Sequence, residues 1–234
     1  YLPVGAIVTS GTVSYVAGRF YVSVVVDIDE KSKYNKDLEA SYHTATTGMG
    51  IDLGIKKLAI VSNGKTFNNI NKSSKVKRLE KRLRREQRCL SRKYESKKKK
   101  GGKTVTASAN IEKQKLKVQK LHQRIKHIRE DYENKVIHEI VKQKPRFITV
   151  EDLNVKGMMK NKHLAKAVAA QRFNNLLVKL KRKAEIIGIE FRVVDIFYPS
   201  SKTCHCCGHI HKDLKLKDRV YVCPKCGYTE DRDF

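Results

Sequence analysis

Two Cys-x-x-Cys pairs near the end of the chain do most to limit what it can fold into. Cys204 and Cys207 form the first pair, Cys223 and Cys226 the second, with 15 residues between them. This is the spacing of a four-cysteine zinc site. Each turn aims two thiolates at one point, and the two turns together complete a tetrahedron around Zn²⁺. Gly208 and Gly227 directly follow each pair and let the backbone double back. With four sulfurs at the corners the ion has no open position, so its role is structural. Two disulfides or free thiols are the competing reading, which a reducing compartment disfavours. Cys206 sits inside the first pair and could confuse the ligand set. His205, His209 and His211 are weaker donors, since four cysteines suffice.

Charge narrows the partners. The 234 residues carry 51 Lys and Arg against 24 Asp and Glu, a net charge of +27. An excess of this size repels itself and is usually matched to a polyanion, nucleic acid above all. An anionic membrane surface is the rival, but no long apolar span or signal segment is present. This points to a cytosolic protein with reduced thiols. The chain starts at Tyr1 and stops at Phe234, straight after a charged turn, which reads as a piece of a longer protein.

The apolar pattern then orders the chain. TVSYVAG and RFYVSVVVDID alternate around a Gly18-Arg19 turn and predict a hairpin within residues 1–40. Residues 31–46 are polar and read as a linker. Strands are expected at 48–55, 57–62 and 66–70, with Asn63-Gly64 as a turn. Between Lys72 and Lys103 lie 16 Lys or Arg and 3 Glu. Val76, Leu79, Leu83 and Leu90 give this segment a thin apolar stripe, predicting a helix to about residue 95, followed by a KKKKGGK loop. Val118, Leu121, Ile125, Ile128, Tyr132, Val136 and Ile140 recur every three or four residues and predict a longer helix over about 108–143. The two helices form an antiparallel hairpin. RFITVEDLN reads as a buried strand and IEFRVVDIFY as another. Between them, Phe173, Leu176, Leu177, Leu180, Ala184 and Ile187 mark one face of a helix over 164–187, ended by Gly188. Residues 199–234 read as loop around the cysteines, with Phe197, Tyr198 and Tyr221 packing on the module. Cys89 packs on the basic helix.

Four carboxylates stand out. Asp52 interrupts the apolar run GIDLGIKKLAIV, where burying a lone Asp is costly without something positive beside it. Glu151 closes the RFITVE strand, and Asp231 and Asp233 lie in the final TEDRDF. Singly, each has a plain alternative: Asp52 as a turn cap, Glu151 facing solvent, the last pair starting a helix. Together they can converge on one sheet edge, where they would repel unless divalent cations sat among them. Oxygen-only ligands favour Mg²⁺ or Mn²⁺, and two such ions support phosphodiester hydrolysis. Asp195 is a further acid of lower rank. Asp152 should face away from Glu151, and His138 and His163 read as solvated or packed.

At these residues the chain resembles the TnpB (OrfB) proteins of insertion sequences, relatives of the type V CRISPR effectors. The resemblance lies in GIDLGIKKLAIVSNG, VEDLNVKGMMKN and YPSSKTCHCCGHI…YVCPKCGYTEDRDF, in this order, with GAIVTSGTVSYVAGRFYVSVVV ahead of them. It implies an α/β chain: an RNase H-like (RuvC-like) nuclease domain with an inserted helical hairpin, a C-terminal four-cysteine zinc ribbon and an N-terminal β segment. Residues 1–40 would be the tail of a wedge barrel, 41–198 the nuclease domain with its hairpin at 72–143, 199–230 the zinc ribbon and 231–234 the last nuclease motif, cut short. It also implies a catalytic triad of Asp52, Glu151 and Asp233, with Asp231 as the fallback. The implied activity is RNA-guided cleavage of double-stranded DNA beside a short adjacent motif, with a guide RNA drawn from the transposon end, in a prokaryotic cytoplasm at the nucleoid. Arg82, Arg84, Arg85 and Arg88 would then wall the channel for the guide–target duplex. The alternatives are a nuclease-inactive binder acting as a repressor and a guide-free, resolvase-like factor.

Overall fold

The computed structural model describes residues 2, 5–28, 47–99, 108–195, 198–214, 218 and 220–231. The expected linker at 31–46, most of KKKKGGK, Phe197 and Asp233 lie outside them. The chain divides into two compact units, residues 1–40 with 70–135 and residues 41–69 with 136–234.

The first unit holds a β-hairpin and two long helices. Strands β1 (Ile7–Val16) and β2 (Arg19–Asp27) pair antiparallel, Val16 opposite Arg19. The turn is therefore Ala17-Gly18, one residue earlier than expected. Both residues have positive φ (52° and 81°), the backbone of a two-residue hairpin turn whose twist matches the strands. On one face Tyr21 accepts a 2.7 Å hydrogen bond from Gln123 Nε2. The opposite face, with Val13, Tyr15, Phe20 and Val22, is exposed.

Helix α1 (Ser74–Lys99) and helix α2 (Ala109–Val141) run antiparallel, as the periodicity predicts. Helix α1 extends a turn beyond the expected end. Leu79, Leu121 and Ile125 form the seam, flanked by Leu83 and Ile128; burying each contributes about 1.5–3 kcal/mol. Polar bonds fix the register. Arg129 donates to Glu80 (3.0 Å) and Asn71 (2.7 Å), the buried Gln114 donates to the Glu86 carboxylate (2.8 Å), and Lys93 donates to the Asn110 carbonyl.

The second unit is built on a five-stranded sheet in the order β5-β4-β3-β6-β7. Strands β3 (Met49–Leu53), β4 (Lys57–Val61) and β5 (Thr66–Asn68) form an antiparallel meander. Strands β6 (Phe147–Glu151) and β7 (Glu190–Val194) run parallel to β3. Met49, Ile51, Leu53, Ile148 and Val150 are buried, as are Val136, Ile137, Ile140 and Val141 at the end of α2. Their partners in the core include Phe173, Leu176, Leu180 and Ala184 of a later helix in the same unit.

That helix differs from expectation. The predicted 164–187 span is split into α4 (Ala165–Gln171) and α5 (Phe173–Ile186), because Arg172 adopts a left-handed conformation (φ 55°) between them. A short helix, α3 (Val155–Lys160), follows β6, with the Asn154 side chain capping it through the Gly157 amide. Helix α5 ends in a Schellman arrangement, Gly188 N–H to the Glu185 carbonyl and Ile189 N–H to the Ala184 carbonyl.

Candidate active site and metal centre

The carboxylate site grows from strand register. Strands β3 and β6 pair Met49 with Ile148, Gly50 with Thr149 and Ile51 with Val150. One step further along both strands stand Asp52 and Glu151. Asp52 also pairs with Ile60 of β4, and Glu151 with Val194 of β7. Because alternate residues face opposite sides of a strand, Asp52, Glu151, Gly50 and Thr149 share one face. Ile51, Leu53, Ile148 and Val150 occupy the other, buried face. Asp52, expected from its apolar neighbours to be buried, is exposed, and Glu151 is half-buried. The cost of burial is therefore absent, and what remains is two acids on neighbouring strands about 4.8 Å apart.

The loop beyond Asp52 is tied down. The buried Gln171 donates to the carbonyl of Gly54 (3.0 Å) and the buried Asn69 to that of Ile55 (2.8 Å). Neither amide was singled out from sequence, since each acts on a residue far away in the chain. Asp152 donates its amide to the Val194 carbonyl, and Asp195 lies one residue past β7. Asp231 closes the short strand Thr229–Asp231 and is exposed. Among the described residues no three carboxylates come within reach of one ion, and the one such cluster of any kind is the four cysteines.

There the sequence expectation and the geometry meet. The Sγ atoms of Cys204, Cys207, Cys223 and Cys226 all lie within 4.8 Å of one another, with two pairs at 3.6 Å. A tetrahedron with 2.3 Å Zn–S bonds has edges of about 3.8 Å, so the donor set fits zinc. Each pair sits in the same backbone knuckle. Cys204 N–H donates to His209 and Gly208 N–H back to Cys204; Cys223 N–H donates to Tyr228 and Gly227 N–H back to Cys223. Gly208 and Gly227 have φ of 69° and 70°, a conformation that costs a side chain. Strands β8 (Val220–Val222) and β9 (Thr229–Asp231) carry the second knuckle. Tyr221 and Leu214 pack against Cys204 and Cys223, as expected for Tyr221, whereas Tyr198 is exposed. Cys206 stands outside the cluster, exposed.

Four converging thiols cannot all ionise alone. Burial pushes the Cys223 thiol up, but backbone N–H groups of Cys226 and Lys225 and the neighbouring thiols bring it down to about 6. For Cys226 the Tyr228 N–H favours the thiolate, yet burial and the three other sulfurs carry it up to about 12. A bound dication removes this conflict.

The basic helix supplies a third feature. Asn71, Lys75, Arg78, Arg82, Arg85 and Arg92 of this region help line a groove of about 1580 Å³ along α1, which also takes in Arg84, Arg88 and Arg124. Glu80 and Glu86 are engaged by Arg129 and Gln114 of α2. The Gln114 bond, with nearby Lys117, Arg85 and Arg82, holds the Glu86 carboxyl below its usual range. Two of the three acids in the segment are thus drawn to the seam, while the arginines face outward. No helix among the described residues is long and apolar enough to cross a membrane.

The chain is similar to known proteins. The family model OrfB_IS605, described as a probable transposase, matches residues 23–162, and a Cas12f1-like TNB domain model matches residues 173–234. A Streptomyces pristinaespiralis protein named "Putative RNA-guided DNA endonuclease" is 34% identical over 233 residues, which are 99% of this chain and 52% of that protein. An Escherichia coli K12 protein, "Putative RNA-guided DNA endonuclease InsQ", is 30% identical, covering 98% of this chain and 55% of its own length. The chain thus spans about half the length of the curated relatives it matches. Among solved structures, a Cas12f1–sgRNA–target DNA complex superposes with a TM-score of 0.47 at 19% identity, over 79% of this chain and 46% of that one.

Proposed function

The chain belongs to the IS605 OrfB family of probable transposases, and from that membership we propose that it serves to cut DNA at a site chosen by a bound RNA. The observation that carries this reading is the pair Asp52 and Glu151, one step past a recorded parallel pairing, on the polar face of the sheet. The names borne by the relatives in Streptomyces and Escherichia agree with it. An RNase H-like, RuvC-like nuclease domain is supported by the strand order β5-β4-β3-β6-β7, with three antiparallel strands followed by two parallel to the first. On this reading residues 41–198 are that domain, 199–230 a zinc ribbon and 231–234 its last motif.

Asp52 and Glu151 are the first two acids of the site and Asp233 the third, with Asp231 the alternative. Their oxygen-only donor set suits Mg²⁺ or Mn²⁺. Held by these carboxylates, two such ions would supply the activation of a water and the charge neutralisation at the leaving oxygen that phosphodiester hydrolysis needs. The chain's own work is to hold the carboxylates at fixed register, and the Gln171 and Asn69 bonds to the loop after Asp52 serve that end. Cys204, Cys207, Cys223 and Cys226 would hold Zn²⁺, which would fix the fold of their module. Arg82, Arg84, Arg85 and Arg88 grip backbone phosphates of the guide–target duplex. The partners are a guide RNA from the transposon end and double-stranded DNA with an adjacent motif, in the cytoplasm.

The test is to purify the protein from cells carrying its native locus, sequence the RNA that accompanies it, and offer a matching duplex with Mg²⁺. A discrete RNA that directs cleavage of its matching duplex is expected. A folded, zinc-loaded preparation with no enriched RNA would contradict guidance and favour a guide-free nuclease. Enriched RNA with target binding but no cutting would favour a repressor.

A further inference from the structure

The face that carries Asp52 and Glu151 holds one more ordered group. One level down from the carboxylates, successive strands present Ser62, Gly50, Thr149 and Arg192, by the pairings Gly50 with Thr149 and Thr149 with Arg192. Ser62 is joined to Gly50 in both directions: Ser62 N–H donates to the Gly50 carbonyl, and the Gly50 N–H donates to Ser62 Oγ. Gly50 has no side chain, and a Cβ there would meet only Ser62, at 3.7 Å. The row is a shallow polar floor with a cation at its β7 end.

Arg192 is held in place. Its guanidinium lies over the Phe147 ring, 3.8 Å from the centroid. Its Nε and Nη2 donate to the two Glu190 oxygens at 2.8 and 2.7 Å. The Phe147 ring in turn lies against Gly48, where a Cβ would approach it to 2.0 Å. The ring supports one face of the guanidinium and Glu190 one edge. Nη1 has no hydrogen-bond partner among the described residues. An arginine fixed flat with an open edge suits a phosphate oxygen, because the planar fork loses little freedom on binding. A surface pair with Glu190 contributes little to stability, so replacing Arg192 should leave the fold intact. The ring lies four residues from Glu151, roughly 13 Å along β6, a few nucleotides from the carboxylates.

We propose that Arg192 binds a backbone phosphate of the DNA strand being cut, a few nucleotides from the scissile bond. The inference rests on the reading of Asp52 and Glu151 as the metal-holding pair. The test uses the full chain with its co-purified RNA and a matched duplex in Mg²⁺, under single-turnover conditions. Arg192→Gln should slow cleavage roughly tenfold, the loss expected for one charge-assisted contact, with an unchanged melting temperature. Arg192→Lys should recover part of the rate. A series of duplexes with one neutral methylphosphonate each, within five nucleotides of the cut, separates contact from structure. One position should slow the wild type and leave Arg192→Gln no slower than before. Wild-type cleavage by Arg192→Gln, or equal slowing of both proteins at every position, would overturn the inference while leaving the nuclease reading intact. Undiminished cutting by Asp52→Ala would instead overturn the reading itself, and this inference with it.

Discussion

Gly48 shows how single residues constrain the candidate site. A methyl group there would lie 2.0 Å from the Phe147 ring, so Gly48→Ala must displace the ring on which the Arg192 guanidinium lies. We expect a loss of about 2–3 kcal/mol, the usual cost of overpacking, read by chemical denaturation; unchanged stability would mean that the ring moves at no cost. Gly227→Ala acts through φ instead, at 70°, and should weaken the zinc module by about 1 kcal/mol. At this scale legibility depended on local contrast. Asp52 was visible because it breaks an apolar run, and the cysteines because their spacing is local. Arg192, Phe147, Gln171 and Asn69 were not, because each draws its meaning from a residue on another strand or helix. Nothing in the sequence marks Arg172 as left-handed either, since that conformation ordinarily selects Gly or Asn.

Among the elements, the helical hairpin was the most legible. Apolar residues every three or four positions predicted α2 to within two residues of Ala109–Val141. Helix α3, of six residues, is too short to show a period. The hairpin seam should respond as a packed core: Ile125→Ala is expected to cost about 2–4 kcal/mol, measured by thermal or denaturant unfolding. The outer face should respond to salt. Replacing Arg82, Arg85 and Arg88 together by Gln should weaken nucleic-acid binding and lower the slope of log K against log salt by about 2–3. An unchanged slope would remove α1 from the interface. The cysteine module should hold one zinc per chain and unfold on chelation. Ligand thiols must lose their protons to bind zinc, so zinc should also be released as pH falls. A metal-free module that stays folded would contradict the zinc assignment.

Over the whole molecule, sequence conveyed charge and composition but not sheet order. A net charge of +27 points to nucleic acid without saying which surface meets it. The pairing of β3 with β6 joins residues about a hundred positions apart, across both long helices, and no local pattern announces such a crossover. Yet that pairing is what sets Asp52 beside Glu151, and on it the account depends. The most direct measurement compares the wild-type protein with Asp52→Ala and Glu151→Ala, each loaded with the same RNA and given the same matched duplex in Mg²⁺. The account predicts that both variants bind the duplex with near wild-type affinity and cut it at least about a thousandfold more slowly, a loss of the size seen when a core catalytic group is removed. Cleavage at the wild-type rate by either variant, or loss of duplex binding in both, would contradict it.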